Sequence, residues 1–446
     1  MISNKISRFT KTFGPGIMFA GTCIGGSHLV LSTKAGAFYG FGLLAVVIFA
    51  NLFKYPFFEF ASRYTNATGD SILEGYKKLG KAPLWIYAIV TLFSMFIITA
   101  AIIAFTAGLV NNFCSDYFNI HINWLWWPGI ISAVVISLLS YGKFKILDAT
   151  LKIIGLVLVI TVSIAFFMLC NTPTKIASPN SIDIISTSSG FTFAIFLMGW
   201  MPMGVDMSAW HSLWTQERIK QTGYHPTLKE TLLDFNIGYV ITVILAIFFL
   251  GIGAKTLYGV SSIEEINSLS GLGYANLLVN AFIGAMGNWS ALIISIAVFS
   301  TMFGTSITLA DGYCRAINRT FHLLKTPQPA TLNPKIKNNQ LDDHHSTKVI
   351  LTESKTSYLI WLTVLFIGAY ILIYSFGAKL SNIMNLATGT SFMIAPIAAY
   401  FNFKIVFSDD VPPSHRPTLG LKWLAIFGLF AISAFSFGYL YILFCS

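Results

Sequence analysis

Two stretches, Gly25-Gly26-Ser27-His28 and Met201-Pro202-Met203-Gly204, interrupt the apolar runs 13–37 and 191–214 near their centres. Glycine and proline at membrane depth break a helix and free main-chain N–H and C=O groups. Lipid cannot satisfy these groups, so they must face protein or a water-filled cavity. A pair of interrupted spans at matching places in two halves of a chain marks the midplane binding site of a secondary transporter.

Composition supports a membrane setting. Charged residues make up 10% of the 446-residue chain and apolar residues 55%; soluble proteins average about 25% charged. Apolar runs of roughly 20 residues recur along the length, each able to cross a hydrocarbon core of about 30 Å. Eleven membrane helices are expected, at 13–37, 40–62, 83–110, 124–139, 151–170, 191–214, 235–254, 291–310, 358–376, 381–401 and 421–444. The first is read as a membrane segment and not a removable signal, since no small-residue cleavage site follows it.

The net charge of +10 comes from loops on one side. These hold Lys5, Arg8 and Lys11; Arg63, Lys77, Lys78 and Lys81; Lys143 and Lys145; Arg218, Lys220 and Lys229; the run from Arg315 to Lys355; and Lys404, Arg416 and Lys422. The opposite loops carry only Lys175, Lys255 and Lys379. This asymmetry places the N-terminus in the cytoplasm, and a bacterial inner membrane is the expected location. It also accounts for the charge without a nucleic-acid partner. Trp124, Trp126 and Trp127 read as an interfacial aromatic belt.

The expected organisation is a cytoplasmic N-terminus (1–12), a five-helix repeat (13–170), a second, inverted five-helix repeat (191–404) and an extra C-terminal helix (418–446). An odd number of helices per repeat forces the inversion. The polar loop 323–356 contains Asp342-Asp343-His344-His345 and reads as solvated. The five cysteines show no CxxC or Cys/His spacing, so no zinc cluster or disulfide framework is indicated. They read as small apolar fillers; Cys23, just before the first break, is the exception to watch. No P-loop, HExxH or nucleophile–base pattern points to an enzyme, and no cofactor is implied.

At the breaks, His28 offers an imidazole, Met201 a thioether and Asp206 a carboxylate. With main-chain carbonyls these could hold a divalent ion of the Mn²⁺ or Fe²⁺ type. His28 and Asp206 are also candidates for a coupled proton. The opposite reading uses the positive half-helix ends, Lys34 and Lys54 to attract a small anion such as bicarbonate, or a small organic solute. A non-transporting sensor would need an output domain, and none is evident. The Glu59–Arg63 and Asp311–Arg315 spacings read as structural bridges. Asp234 reads as a residue opening the seventh segment, and His211 as a candidate lining of an inner path.

Gly14-Pro15-Gly16, Ala35-Gly36-Ala37-Phe38-Tyr39-Gly40-Phe41, Ala50-Asn51-Leu52, Thr68-Gly69-Asp70 with Leu73-Glu74, and Met201-Pro202 together resemble the NRAMP family (natural resistance-associated macrophage proteins). The resemblance covers the whole helix plan and is densest over the first two segments. It implies proton-coupled divalent-metal transport on the leucine-transporter architecture, all-α, with discontinuous helices 1 and 6. The chain departs from the family at the site. Gly25, Gly26, Ser27 and His28 stand where the family has Asp-Pro-Gly-Asn, so its ligating carboxylate is gone. Met203 replaces a histidine, and Thr388-Gly389-Thr390 stands where the tenth segment usually carries a glutamine. The third and ninth segments lack the charged residues of the family's proton route. The candidate substrate-binding set is therefore Gly25, Gly26, Ser27, His28, Met201, Pro202, Met203, Gly204, Asp206, Thr388 and Thr390, in a chain expected to act as a monomer.

Overall fold

The computed structural model describes residues 10–141, 144–170, 177–260, 262–269, 271–326, 355–376 and 380–445. The Asp342–His345 cluster and Lys5, Arg8, Lys143, Lys175 and Lys379 lie outside the described residues. Among the described residues every regular element is helical. Eight helical runs there are long and apolar enough to cross a membrane, and three shorter apolar helices accompany them.

The first span is α1 (Pro15–Cys23), a π-helical stretch (Ile24–Ser32) and α2 (Thr33–Tyr39). Then come α3 (Leu44–Thr68), the short α4 (Ile72–Leu79), α5 (Lys81–Phe118), α6 (Trp126–Tyr141) and α7 (Phe144–Cys170). After the short α8 (Ser181–Ile185), the second interrupted span is α9 (Ser188–Trp200) and α10 (Ser208–Thr222), separated by the break and a 3₁₀ turn at Val205–Met207. Next are α11 (Leu228–Thr256), α12 (Ile263–Ser268), α13 (Gly271–Met286) and α14 (Ala291–Lys325). The chain closes with α15 (Lys355–Phe376), α16 (Leu380–Val406) and α17 (Leu419–Cys445).

Each expected membrane segment has a helical counterpart, but two boundaries move far. α5 and α14 run to Phe118 and Lys325, well past the apolar windows 83–110 and 291–310. Their extra turns carry polar and charged side chains, several of them buried, which hydropathy reads as loop. α4, α8, α12 and α13 fall outside the expected segments; α4 is short and amphipathic, with Glu74, Lys77 and Lys78 on its polar side.

The interrupted first span packs against α11 through paired glycines. A Cβ on Gly238 would collide with the Gly16 carbonyl, and one on Gly36 with the Leu250 carbonyl; Gly253 in turn sits against the Thr33 carbonyl. Small residues let membrane helices approach at backbone distance. Asp234 strengthens the same contact. It does not open the seventh segment: α11 begins at Leu228, behind a capping box of Thr227 and Glu230. The Asp234 carboxylate instead accepts hydrogen bonds from the N–H groups of Gly14 (3.0 Å) and Gly16 (2.7 Å). It thus satisfies the unpaired donors at the start of α1, where the helix dipole favours negative charge.

Large apolar side chains on the outside of the bundle, among them Phe93 on α5, Ile153 on α7 and Phe430 and Phe437 on α17, are exposed. Such a surface suits lipid. Polar and charged groups gather inside instead: His28, Lys54, Glu59, Asp206, His211, Asp234 and Asp311 are all buried.

Candidate functional site

The two breaks are real and different. In the first span, Gly25 leaves the helical region (φ −66°, ψ −110°) and the chain resumes helically within a π-type stretch. In the second, α9 stops at Trp200, Met201 and Gly204 are extended (ψ 117° and 137°), and the Met201–Pro202 peptide is cis.

The breaks touch. The Ser27 hydroxyl lies 3.0 Å from the Pro202 carbonyl, and the Cys23 thiol lies 3.3 Å from the Met203 thioether. Around these contacts is a small cavity of about 30 Å³, room for a bare ion or a water rather than for an organic ligand. Cys23, Gly26 and Ser27 line it from the first break, and Trp200, Pro202, Met203, Gly204 and Met207 from the second. Ile98 and Ile102 of α5 and Thr305 and Leu309 of α14 close the other sides. Thr305 is fixed by donating its hydroxyl to the Gly21 carbonyl (2.8 Å), and the Trp200 indole donates to Ser391 (3.3 Å).

Of the residues expected at the site, Gly26, Ser27, Pro202, Met203 and Gly204 line the cavity. The others, Thr390 apart, are buried nearby or elsewhere. Gly25 packs with its α-carbon toward Thr305. Met201 has its sulfur 3.9 Å from Ser32 Oγ. Thr388 bonds within its own helix, to Asn385 (3.1 Å). Thr390's side chain lies outside the described residues.

His28 is held at both ring nitrogens. Nε2 is 2.8 Å from the Thr242 carbonyl on α11, which can only accept, so Nε2 carries a proton. Nδ1 is 2.6 Å from Ser27 Oγ. Ser27 also bonds the Cys23 carbonyl and faces the Pro202 carbonyl. One hydroxyl proton cannot serve three acceptors. If His28 gains a second proton, Nδ1 donates to Ser27 and the hydroxyl is released to a carbonyl. The network therefore has a place for one added proton.

Asp206 sits past the second break, with Oδ1 folded back over Gly204 and without a hydrogen-bond partner among the described residues. Lys54, on α3, is 1% exposed. Its ammonium donates to the carbonyls of Met198 (2.5 Å), Gly199 (2.8 Å) and Met203 (3.1 Å). Lys34 points away from the breaks, 4.9 Å above the Tyr274 ring and 3.4 Å from Asn267 Oδ1. His211 lies deeper along α10, 3.0 Å from Ser62 and edge-on to Phe19 and Phe235.

Sequence reading missed several wall residues: Ile98, Ile102, Trp200, Met207, Thr305 and Leu309. Only Thr305 left a trace, in the small-residue run Gly304-Thr305-Ser306 within an otherwise bulky helix.

An all-helical bundle of long apolar spans, two of them broken and meeting at one cavity, defines a multi-pass membrane transporter. The chain belongs to the natural resistance-associated macrophage protein-like (Nramp) family, whose model matches residues 16–442. It is 32% identical over 431 residues, 95% of this chain and 90% of the relative, to the uncharacterized protein PM0681 of Pasteurella multocida. Solved structures share the fold at low identity. The manganese transporter of Eremococcus coleocola superposes with a TM-score of 0.69 at 13% identity, covering 97% of this chain and 86% of that one. The nucleobase-cation-symport-1 family transporter MHP1 matches with a TM-score of 0.58 at 12% identity, over 96% of this chain and 92% of that one. MhsT, solved with L-phenylalanine, matches at 0.54 and 11% identity, over 94% and 98%.

Proposed function

We propose that the chain is a secondary-active carrier of a metal ion, working by alternating access, with the cavity between the breaks as its cargo chamber. The observation that carries this reading is the direct meeting of the breaks, Ser27 against Pro202 and Cys23 against Met203, around that chamber. In this reading residues 13–170 and 191–404 are the inverted repeats that rock about the chamber. The protein sits in a plasma membrane with its N-terminus in the cytoplasm.

The chamber wall favours one class of ion. It presents a thiol (Cys23), two thioethers (Met203, Met207) and the hydroxyls of Thr22, Ser27 and Thr305, with no carboxylate among its lining residues. Sulfur donors favour soft ions such as Cu(I) or Ag(I), whereas Mn²⁺ prefers carboxylate, carbonyl and water oxygen. His28 would take part through its proton and not as a ligand, since both its nitrogens are engaged.

Uptake into proteoliposomes tests the reading, with Ag(I), Cu(I) kept reduced, Mn²⁺, Fe²⁺ and bicarbonate offered in parallel. Saturable uptake of Ag(I) or Cu(I), weakened at least tenfold by Cys23→Ser, is expected. Uptake of no metal under any pH gradient would refute it. A second reading, a small anion or organic solute, is favoured by the ammonium of Lys54 beside Met203; bicarbonate uptake without metal uptake would establish it.

A further inference from the structure

The end of α9 is built like a cation site. Met198 and Gly199 belong to the last turn of that helix, where carbonyls lack intrahelical partners and the helix dipole is negative. Met203 lies in the break beyond. The three carbonyl oxygens converge on a single point, with separations of 2.5, 2.8 and 3.1 Å from the nitrogen that fills it. Inside a membrane protein these oxygens need a partner. The partner is the Lys54 ammonium, which reaches across from α3 and is 1% exposed.

The match in number is the decisive feature. An ammonium has three donors and no acceptor, and here it meets three carbonyls. A neutral amine would turn its lone pair toward one of them.

We propose that the C-terminal end of α9 is a binding site for a small monovalent cation, and that the chain occupies it with its own tethered ammonium. Lys54 is a positioning residue: it holds the second break in shape and sets a fixed positive charge beside the chamber. It also withdraws the carbonyls of Met198, Gly199 and Met203 from any cargo, so the ion carried depends on side-chain donors. This inference does not depend on the metal reading, because the site concerns stability of the break and not the identity of the cargo.

Chemical rescue tests it. Lys54→Ala, purified in detergent, should melt well below the parent. Ammonium or methylammonium chloride should raise its melting temperature saturably, while tetramethylammonium chloride, which has no N–H donor, should not at equal ionic strength. The parent should respond equally to all three salts. A Lys54→Ala protein that melts with the parent would overturn the proposal, as would one whose loss no small ammonium ion selectively restores. If Lys54→Ala does not fold, Lys54→Arg and Lys54→Gln decide the matter. Arginine keeps charge and donors and should melt near the parent, with glutamine clearly lower. Equal melting of these two would overturn the proposal.

Discussion

Gly26→Ala is the sharpest probe of the chamber. A Cβ at this position would lie 2.5 Å from Cζ3 of Trp200 and 2.8 Å from Cδ1 of Ile102, where carbon atoms prefer about 3.5–4.0 Å. Neither neighbour yields freely. Trp200 is buried and tethered by its indole N–H to Ser391, and Ile102 is buried within α5. Overpacking of this kind costs about 1–3 kcal/mol. Moving the indole would also sacrifice a hydrogen bond worth about 0.5–1.5 kcal/mol. All three residues line the same cavity, so the strain falls on the space the cargo needs. A loss of about 1–3 kcal/mol in cargo binding corresponds to about 5–150-fold in affinity. The assay is initial uptake against concentration in proteoliposomes, with Ag(I) or Mn²⁺ as the panel dictates, beside a melting curve. Trp200→Phe removes the ring edge that the new methyl strikes, so the double variant should recover most of the loss. Parent-like KM and kcat in Gly26→Ala would refute the assignment of this cavity as the chamber. So would additivity of the two substitutions within about 0.5 kcal/mol, the mark of independent sites.

The remaining predictions concern the supports of the site. Asp234→Ala removes two charge-assisted hydrogen bonds from the start of α1, each worth about 1.5–3 kcal/mol, and should lower the melting temperature where Asp183→Ala, on the exposed α8, does not; equal melting of the two would count against the cap. Asp311 binds Arg315 (2.8 Å), the Trp214 indole (3.0 Å) and the Tyr358 hydroxyl (2.9 Å), joining α10, α14 and α15. Asp311→Ala removes the closer of two carboxylates around Arg315, with Glu217 remaining 3.7 Å away, and should destabilise by about 1.5–3 kcal/mol, read by thermal melting against the parent; a melting temperature unchanged within error would show the network to be dispensable. His28→Gln keeps a hydrogen bond to Thr242 or Ser27 but cannot take up a second proton, so uptake should persist and lose its dependence on the pH gradient. Gradient-driven accumulation equal to the parent's would remove His28 from the proton route.

Much of the fold was legible because the bilayer imposes a simple rule: long apolar runs must be helices. The breaks were legible for a related reason, since Gly25-Gly26 and Met201-Pro202 cannot sit quietly in a lipid-facing span. Which side chains then face one another was not legible. Asp234 reads locally as a helix-opening residue, yet its partners Gly14 and Gly16 lie more than 200 positions away in the chain. Lys54 reads from the sequence as a charge that could attract a small anion, and its contacts depend on where the α9 carbonyls end. His28 reads as a metal ligand because imidazoles often are. Its Nε2 bond depends on the backbone of α11, which the Gly16–Gly238 and Gly36–Gly253 contacts bring close.

Charge ties these observations together. At the breaks the buried ionic groups are the Lys54 ammonium and the Asp206 carboxylate, which interact electrostatically. Before cargo arrives, the two balance. A divalent ion in the chamber would be repelled by the ammonium and attracted by the carboxylate, so this pair by itself does not select the charge of the cargo. Within the proposed function, a singly charged soft ion that binds Cys23 and displaces the thiol proton leaves the net charge of the wall unchanged, because thiolate and metal cancel. For that balance to hold the thiol proton must leave the site, and the Ser27–His28 pair is the proposed route. In the same proposed function, the lack of a carboxylate at Gly25 and the sulfur groups of Cys23, Met203 and Met207 on the wall are what favour a cargo of softer chemistry.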